Sequence, residues 1–301
     1  MSRRWTSRLL AAVLLLASAA GALAQAVSVQ DDSGATITLP QPAQRIISLA
    51  PNLTEIVFAT GAGERLIGVG RFSDYPEAAQ KIPVVSDAFA LNLESINALK
   101  PDLILVWKTG TAQRQRDALK KLAARMKVPV FESEIRDVAG IGTTLLRLGT
   151  LTGTPDKAAA VAARVDAEWK ALVAQYRGAK PVRVFYQVWD KPLMTFNDAH
   201  LVGKAIAICG GINGFGKLSA LTPMVSREAV LAWNPQLILA STADPALTSL
   251  AAWRQLPTIE AVRHQQLAGV RGEILSRMGP RFVQGARELC EVIDKTRKQL
   301  R

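Results

Sequence analysis

The sequence predicts an α/β protein of two similar lobes joined by one long helix. Three observations predict it. Short apolar runs alternate with helix-length amphipathic stretches in both halves of the chain, the pattern of parallel sheets covered by helices. A segment from Glu94 to Leu105 recurs from Glu228 to Leu239, an offset of 134 (228 − 94). Between the copies runs a helical pattern from Pro155 to Arg177 with no internal Pro or Gly.

In chain order, the N-terminus reads as a leader and not as part of the fold. Arg3, Arg4 and Arg8 precede the apolar run Leu9–Ala17, and small residues up to Ala26 offer A-x-A cleavage options. That is the form of a secretory signal peptide, assigned to residues 1–24. The run is short for a spanning helix, and no later stretch is long enough to span a bilayer. No Cys lies at the cleavage region, so a lipoprotein anchor is not supported. The expected location is the periplasm.

The N-terminal lobe is assigned to residues 27–152. Val27–Thr38 reads as a hairpin around Asp31-Asp32-Ser33-Gly34. Arg45–Leu49 is a strand, followed by a helix to Thr60 capped by Asn52 or Thr54 and closed by Gly61 and Gly63. Leu66–Val69 is a strand. Asn92 caps Leu93–Leu99, which stops before Pro101; Leu103–Val106 is a buried strand. Gln113–Lys127, Val130–Phe131 and Val138–Leu151 follow as helix, strand and helix.

The linker helix is assigned to residues 153–178. Ala158, Val161, Ala162, Val165, Trp169, Leu172, Val173 and Tyr176 lie on one helical face. In the C-terminal lobe, residues 181–301, the alternation restarts with a strand at Arg183–Gln187. A helix Leu201–Cys209, a helix Arg227–Ala232, a strand Leu237–Ala240, a helix Ala246–Gln255 and a last helix Pro280–Leu300 follow. Both repeat copies share E-x-[IV]-x-A-x-x-P-x-L-I-L: a short helix, a proline stop, a buried strand. The lobes are therefore Rossmann-like and alike, and a ligand cleft is expected between them, at the C-terminal ends of the strands.

Composition narrows the function. The net charge is +12, or +9 (12 − 3) without the three leader arginines, and the positive residues are scattered. Aromatics are 6%, too few and too dispersed to interleave a basic patch, so a nucleic-acid partner is not expected. The only two histidines, His200 and His264, do not have metal-ligand spacing, so no metal site is expected. No G-x-S-x-G, Walker A or dinucleotide fingerprint occurs, and no nucleophile–base arrangement can be read, so an enzyme is not expected. Cys209 and Cys290 are the only cysteines. In an oxidising compartment they form one disulfide, the alternative being two buried thiols.

Several segments carry a family resemblance. They are Arg45-Ile46-Ile47-Ser48-Leu49-Ala50-Pro51-Asn52-Leu53-Thr54-Glu55, Ser73-Asp74-Tyr75-Pro76-Glu77-Ala78-Ala79-Gln80-Lys81-Ile82-Pro83, Asn92-Leu93-Glu94, Leu99-Lys100-Pro101-Asp102-Leu103 and Val225-Ser226-Arg227-Glu228. From Arg45 to Leu289 the chain resembles the periplasmic vitamin B12 (cobalamin)-binding proteins of ABC importers. These belong to the helical-backbone class (class III) of periplasmic binding proteins, whose other members take haem and siderophores. The resemblance implies a monomer that captures cobalamin or a related corrinoid without a resident cofactor and delivers it to a membrane permease–ATPase complex. It implies ligand contacts at Pro51, Phe72, Trp107, Met194, Glu273 and Arg277, with Phe89 supplying an aromatic expected near Ala88. Phe72, Met194 and Glu273 stand where a Tyr, a Phe and an Asp are typical, and an aromatic expected near Thr222 is missing. Glu94 and Glu228, the first residues of the two repeat copies, are implied to dock on permease arginines. A haem or ferric-siderophore ligand is the alternative, with Tyr75, Tyr186 and His200, or Arg277 and Arg281, as the groups it would use. An exported chelatase-like enzyme is the rival from another class.

Overall fold

In the computed structural model, residues 26–87, 89–242, 244 and 246–300 are described. The leader assigned to residues 1–24 lies outside them. A small antiparallel hairpin, β1 (Val27–Gln30) and β2 (Thr36–Leu39), opens the described chain. Asp31 holds its turn: one carboxylate oxygen accepts from the N–H of Ser33 and of Ala35. Its other oxygen accepts from the N–H of Glu132, tying the hairpin to the first lobe.

The first lobe is a five-stranded, fully parallel sheet. Its strands are β3 (Ile46–Ser48), β4 (Leu66–Gly70), β5 (Val84–Ser86), β6 (Leu103–Trp107) and β7 (Val130–Ser133), in the order β5-β4-β3-β6-β7. Helices α1 (Pro51–Ala59), α2 (Leu93–Ala98), α3 (Gln113–Met126) and α4 (Val138–Leu151) cover it. One correction concerns α1. Neither Asn52 nor Thr54 caps it; the helix already includes both, with Pro51 at its first position and Ala50 before it. Proline's fixed φ suits that position, and its missing N–H is one the helix would leave unpaired anyway. Thr54, inside the helix, instead contacts the buried Ser48 and Ser73 hydroxyls at 2.9 and 3.1 Å.

The linking helix α5 runs from Pro155 to Gln175, about 30 Å at 1.5 Å per residue. It buries Ala158, Val165 and Leu172 at seven-residue spacing. It packs along α4, and Trp169 meets Phe282 of the other lobe with ring centroids 5.9 Å apart. One buried apolar cluster therefore runs from Ile46 and Leu105 through Val165 to Phe282 and Leu289.

The second lobe repeats the first with one strand fewer. Its strands β8 (Val182–Gln187), β9 (Gly211–Asn213), β10 (Leu237–Ser241) and β11 (Leu267–Val270) form a parallel sheet in the order β11-β10-β8-β9. Its helices are α6 (Leu201–Ile208), α7 (Arg227–Trp233), α8 (Glu260–Arg263), α9 (Gly272–Leu275) and α10 (Phe282–Gln299). Cys209 and Cys290, both fully buried, form a disulfide that staples the end of α6 to the middle of α10.

The predicted helix Ala246–Gln255 is absent. Two short 3-10 turns, Thr248–Leu250 and Trp253–Gln255, stand there instead. The Asp244 carboxylate accepts from the N–H of Ala246 and Thr248 and from the Thr248 hydroxyl, and Leu247 adopts φ 52°. A side chain that satisfies the backbone locally competes with helix formation. Strands β5, β9 and β11 carry no sequence signal of their own: each is three or four residues long, and two contain glycine.

Candidate ligand-binding cleft

The repeat survives down to its hydrogen bonds. Asp102, just before β6, accepts the Arg45 N–H at 2.9 Å; Gln236, at the equivalent place before β10, accepts the Arg183 N–H at 3.0 Å. The Nε of each arginine donates to an equivalent carbonyl, Lys100 or Asn234. Those two residues share the left-handed conformation, φ 49° and 50°. Asn92 and Ser226 cap α2 and α7 through the N–H of Ser95 and Ala229. Glu94 and Glu228 thus lie at matching points, in the first turn of each helix, and both are exposed.

Because both sheets are parallel, all their strand C-termini lie at one edge, where ligands collect in such folds. Three cavities follow that edge. One of about 500 Å³ lies between the lobes, lined by Trp107, Gly110 and Glu134 on one side and by His200, Leu221 and Met278 on the other. A second, about 220 Å³, belongs to the first lobe and is lined by Pro51, Arg71, Phe72 and again Trp107. The third, about 560 Å³, belongs to the second lobe and is lined by Gln187, Trp189, Ser241, Glu273 and Arg277.

Five of the seven predicted contact residues line these cavities: Pro51, Phe72, Trp107, Glu273 and Arg277. Trp107 is the hinge of the arrangement, since it faces two of them. It closes β6, its ring lies against Gly110, and a Cβ at that glycine would collide with the indole. Its buried Nε1 has no hydrogen-bond partner among the described residues, an exception in an interior where polar groups are normally paired. Phe72 is 67% exposed with φ 68°. A bulky residue held in that region is strained, and such strain gathers at binding sites.

The other two fall differently. Phe89 is 91% exposed and lines none of the three cavities; Ala88 beside it lies outside the described residues. Met194 is half-buried in the centre of a small ladder, bridged to Trp189 on one side and Met224 on the other. Cross-strand partners share a face, so the three form one apolar patch. Its outer members are exposed, Trp189 at 63% and Met224 at 69%. The sequence reading missed Trp189 and Met224 because they sit in irregular chain with no periodicity. The one available signal was a Trp two residues beyond the end of a strand.

The two arginines that link the lobes are neutralised by two carboxylates. Arg277 reaches across the lobes to Asp74, with Nη1 at 2.5 Å and Nη2 at 3.1 Å, and to Glu55 at 3.3 Å. Arg281, four residues on, binds the same Glu55 through Nε and Nη2 at 3.0 and 2.5 Å, and its guanidinium lies 3.6 Å from the centre of the Tyr75 ring. Hydrogen bonding from Arg277 holds the Asp74 carboxyl below its ordinary range, against the opposing effect of burial.

His200 caps α6 with its ring: Nδ1 accepts from the Val202 N–H at 3.1 Å, and the ring stacks on Phe196 at 3.9 Å. Burial lowers its pKa to about 4. The ring is therefore neutral near pH 7, with its proton on Nε2. Tyr186 is fully buried, which pushes its phenol pKa up. Among the described residues no cluster of His, Cys, Asp and Glu is arranged to hold a metal ion, and no helix is long and apolar enough to cross a membrane.

Comparison with known proteins now applies to this geometry. The profile of the periplasmic binding protein family matches residues 46–273. The chain belongs to that family. It is 32% identical over 261 residues to a vitamin B12-binding protein of Vibrio cholerae serotype O1, covering 86% of this chain and 92% of that one. The crystal structure of the periplasmic vitamin B12 binding protein BtuF of Vibrio cholerae superposes with TM-score 0.78 at 31% identity, over 85% of this chain and 99% of that one. The apo periplasmic heme-binding protein RhuT from Roseiflexus sp. RS-1 superposes at 0.74 with 24% identity, over 85% and 99%, a likeness of fold. The two-lobed, helix-linked architecture is thus that of class III periplasmic binding proteins.

Proposed function

We propose that this protein is the periplasmic substrate-binding subunit of an ABC importer, and that it captures cobalamin or a close corrinoid between its lobes. The observation that carries this reading is the likeness to vitamin B12-binding proteins along nearly the whole chain. The cleft agrees with it. A corrinoid is a broad ring rimmed with amides and needs apolar walls plus a few polar groups. Pro51, Phe72 and Trp107 form a wall on one lobe; Trp189, Met194 and Met224 form an apolar patch on the other. Glu273, in the wall of the second-lobe cavity, suits an amide N–H.

Binding is reversible and non-covalent, and the transported ligand is not a resident cofactor. The protein acts as a monomer and not as an enzyme. Glu94 and Glu228 present one carboxylate per lobe to a permease, a spacing that sets register more than static affinity.

The alternative ligands fit less well. Siderophore capture needs several unpaired arginines; Arg277 is held by Glu55 and Asp74 and Arg281 by Glu55, and Arg71 stands in the first-lobe cavity without an ion pair among the described residues. Haem capture needs an axial ligand. The Tyr75 ring is covered by Arg281, Tyr186 is fully buried, and His200 would have to break its helix cap to offer Nε2 to iron.

Calorimetric titration of the mature protein with cyanocobalamin, cobinamide and haemin tests the reading. Tight one-to-one binding of either corrinoid is expected. Haemin binding without corrinoid binding would overturn it.

A further inference from the structure

We infer that Asp74 is a specificity-determining residue of the cleft, an internal carboxylate that fills the fork of Arg277 so that the cleft takes amide-rimmed rings and refuses carboxylate-rimmed ones. This inference rests on the tetrapyrrole-type cleft proposed above and states which rim chemistry it selects.

Arginine recognises carboxylates through two parallel N–H donors. In this protein both terminal nitrogens of Arg277 are already on the two oxygens of Asp74. Glu55 takes two donors of Arg281 and a further contact from Arg277. Two arginines thus face two carboxylates, and the cluster offers no net positive charge to an incoming anion. Glu273 lines the same cavity as Arg277 and makes no ion pair within 4 Å among the described residues. A ligand carboxylate arriving there meets a filled fork and an uncompensated negative charge. A ligand amide meets an acceptor for its N–H in Glu273 and can share the edge of the Arg277 fork without repulsion. Specificity built this way depends on the repulsive element as much as on the attractive one. Asp74 carries the switch because its side chain is half exposed, 51%, whereas that of Glu55 is 3% exposed and fixed between two arginines.

The test uses the mature protein and the variants Asp74→Asn and Asp74→Glu. Each is titrated with cyanocobalamin and with dicyanocobyrinic acid, the corrin ring bearing carboxylates in place of amides, and with haemin. Asp74→Asn is expected to gain at least tenfold in affinity for dicyanocobyrinic acid and haemin, with the gain shrinking as salt is raised. Its affinity for cyanocobalamin is expected to change by less than that factor. Asp74→Glu keeps the charge and is expected to keep the wild-type discrimination. An unchanged ratio of carboxylate-ring affinity in Asp74→Asn relative to wild type overturns the inference, as does an equal change for all three ligands. Failure of the wild type to bind cyanocobalamin would remove the corrinoid reading and leave this ratio to be judged with haemin.

Discussion

The two lobes share a plan but not a texture. In the first, the sheet has five strands, and the main irregular stretch is residues 71–83. In the second, the sheet has four strands, and residues 188–200, 214–226 and 246–259 run mostly as turns and short 3-10 segments. The Arg–Asp and Arg–Gln frames at the strand roots are equivalent, so the difference lies at the opposite, cleft-facing edge. There the first lobe offers Trp107, braced by Gly110, and the second offers the exposed Trp189 and Met224. One wall is set by packing; the other is presented on loops. The looser lobe is also the one that carries the disulfide.

Four experiments break or sharpen that contrast. The largest effect is expected from Cys209→Ala with Cys290→Ala. The bond closes a loop across 81 positions, which the chain-entropy model values at about 4–5 kcal/mol. Denaturant unfolding of the double variant should show that loss, and hydrogen exchange should show the second lobe opening before the first. Equal opening of both lobes would mean that the staple serves the whole shared core.

Next is His200. Its folded pKa, about 4, lies below its ordinary value of 6.5. The unfolded chain therefore takes up the proton first as pH falls, and the stabilisation present above pH 6.5 is lost on approach to pH 4. The change is about 3 kcal/mol between pH 7 and pH 4. His200→Asn keeps a cap acceptor for Val202 and should flatten that part of the stability–pH curve.

For ligand affinity, Trp107→Ala should cost about a hundredfold, since a half-buried, braced aromatic is the usual form of a hot spot. Trp189→Ala should cost about tenfold, because exposed loop aromatics lose less on truncation. Calorimetry on both variants checks the order; a larger loss at Trp189 would make the loop wall the dominant one.

The smallest effect comes from the paired caps. Asn92→Ala and Ser226→Ala should each cost about 1 kcal/mol. Thermal unfolding should give like values if the repeat is energetic as well as geometric.

How far the sequence reaches differs between fold and site. Helices such as Val138–Leu151 were legible to the residue because their apolar period is long. Strands of three residues such as β5 and β9 were not, because they exist only by pairing with a neighbour. In the cleft, Pro51, Phe72, Trp107, Glu273 and Arg277 were reachable through resemblance. Trp189 and Met224 were not, because nothing local distinguishes an exposed loop aromatic from one that packs.

By itself, then, the sequence determined the two-lobed plan, the linking helix, the repeat and the single possible cysteine pairing, all of which rest on periodicity and composition. Only the tertiary structure decided which arginines are already occupied. Arg277 and Asp74 are 203 positions apart, and no local pattern in the chain marks them as a pair. Their meeting depends on how two lobes close around one shared core, a property of packing across the whole molecule and not of any local pattern.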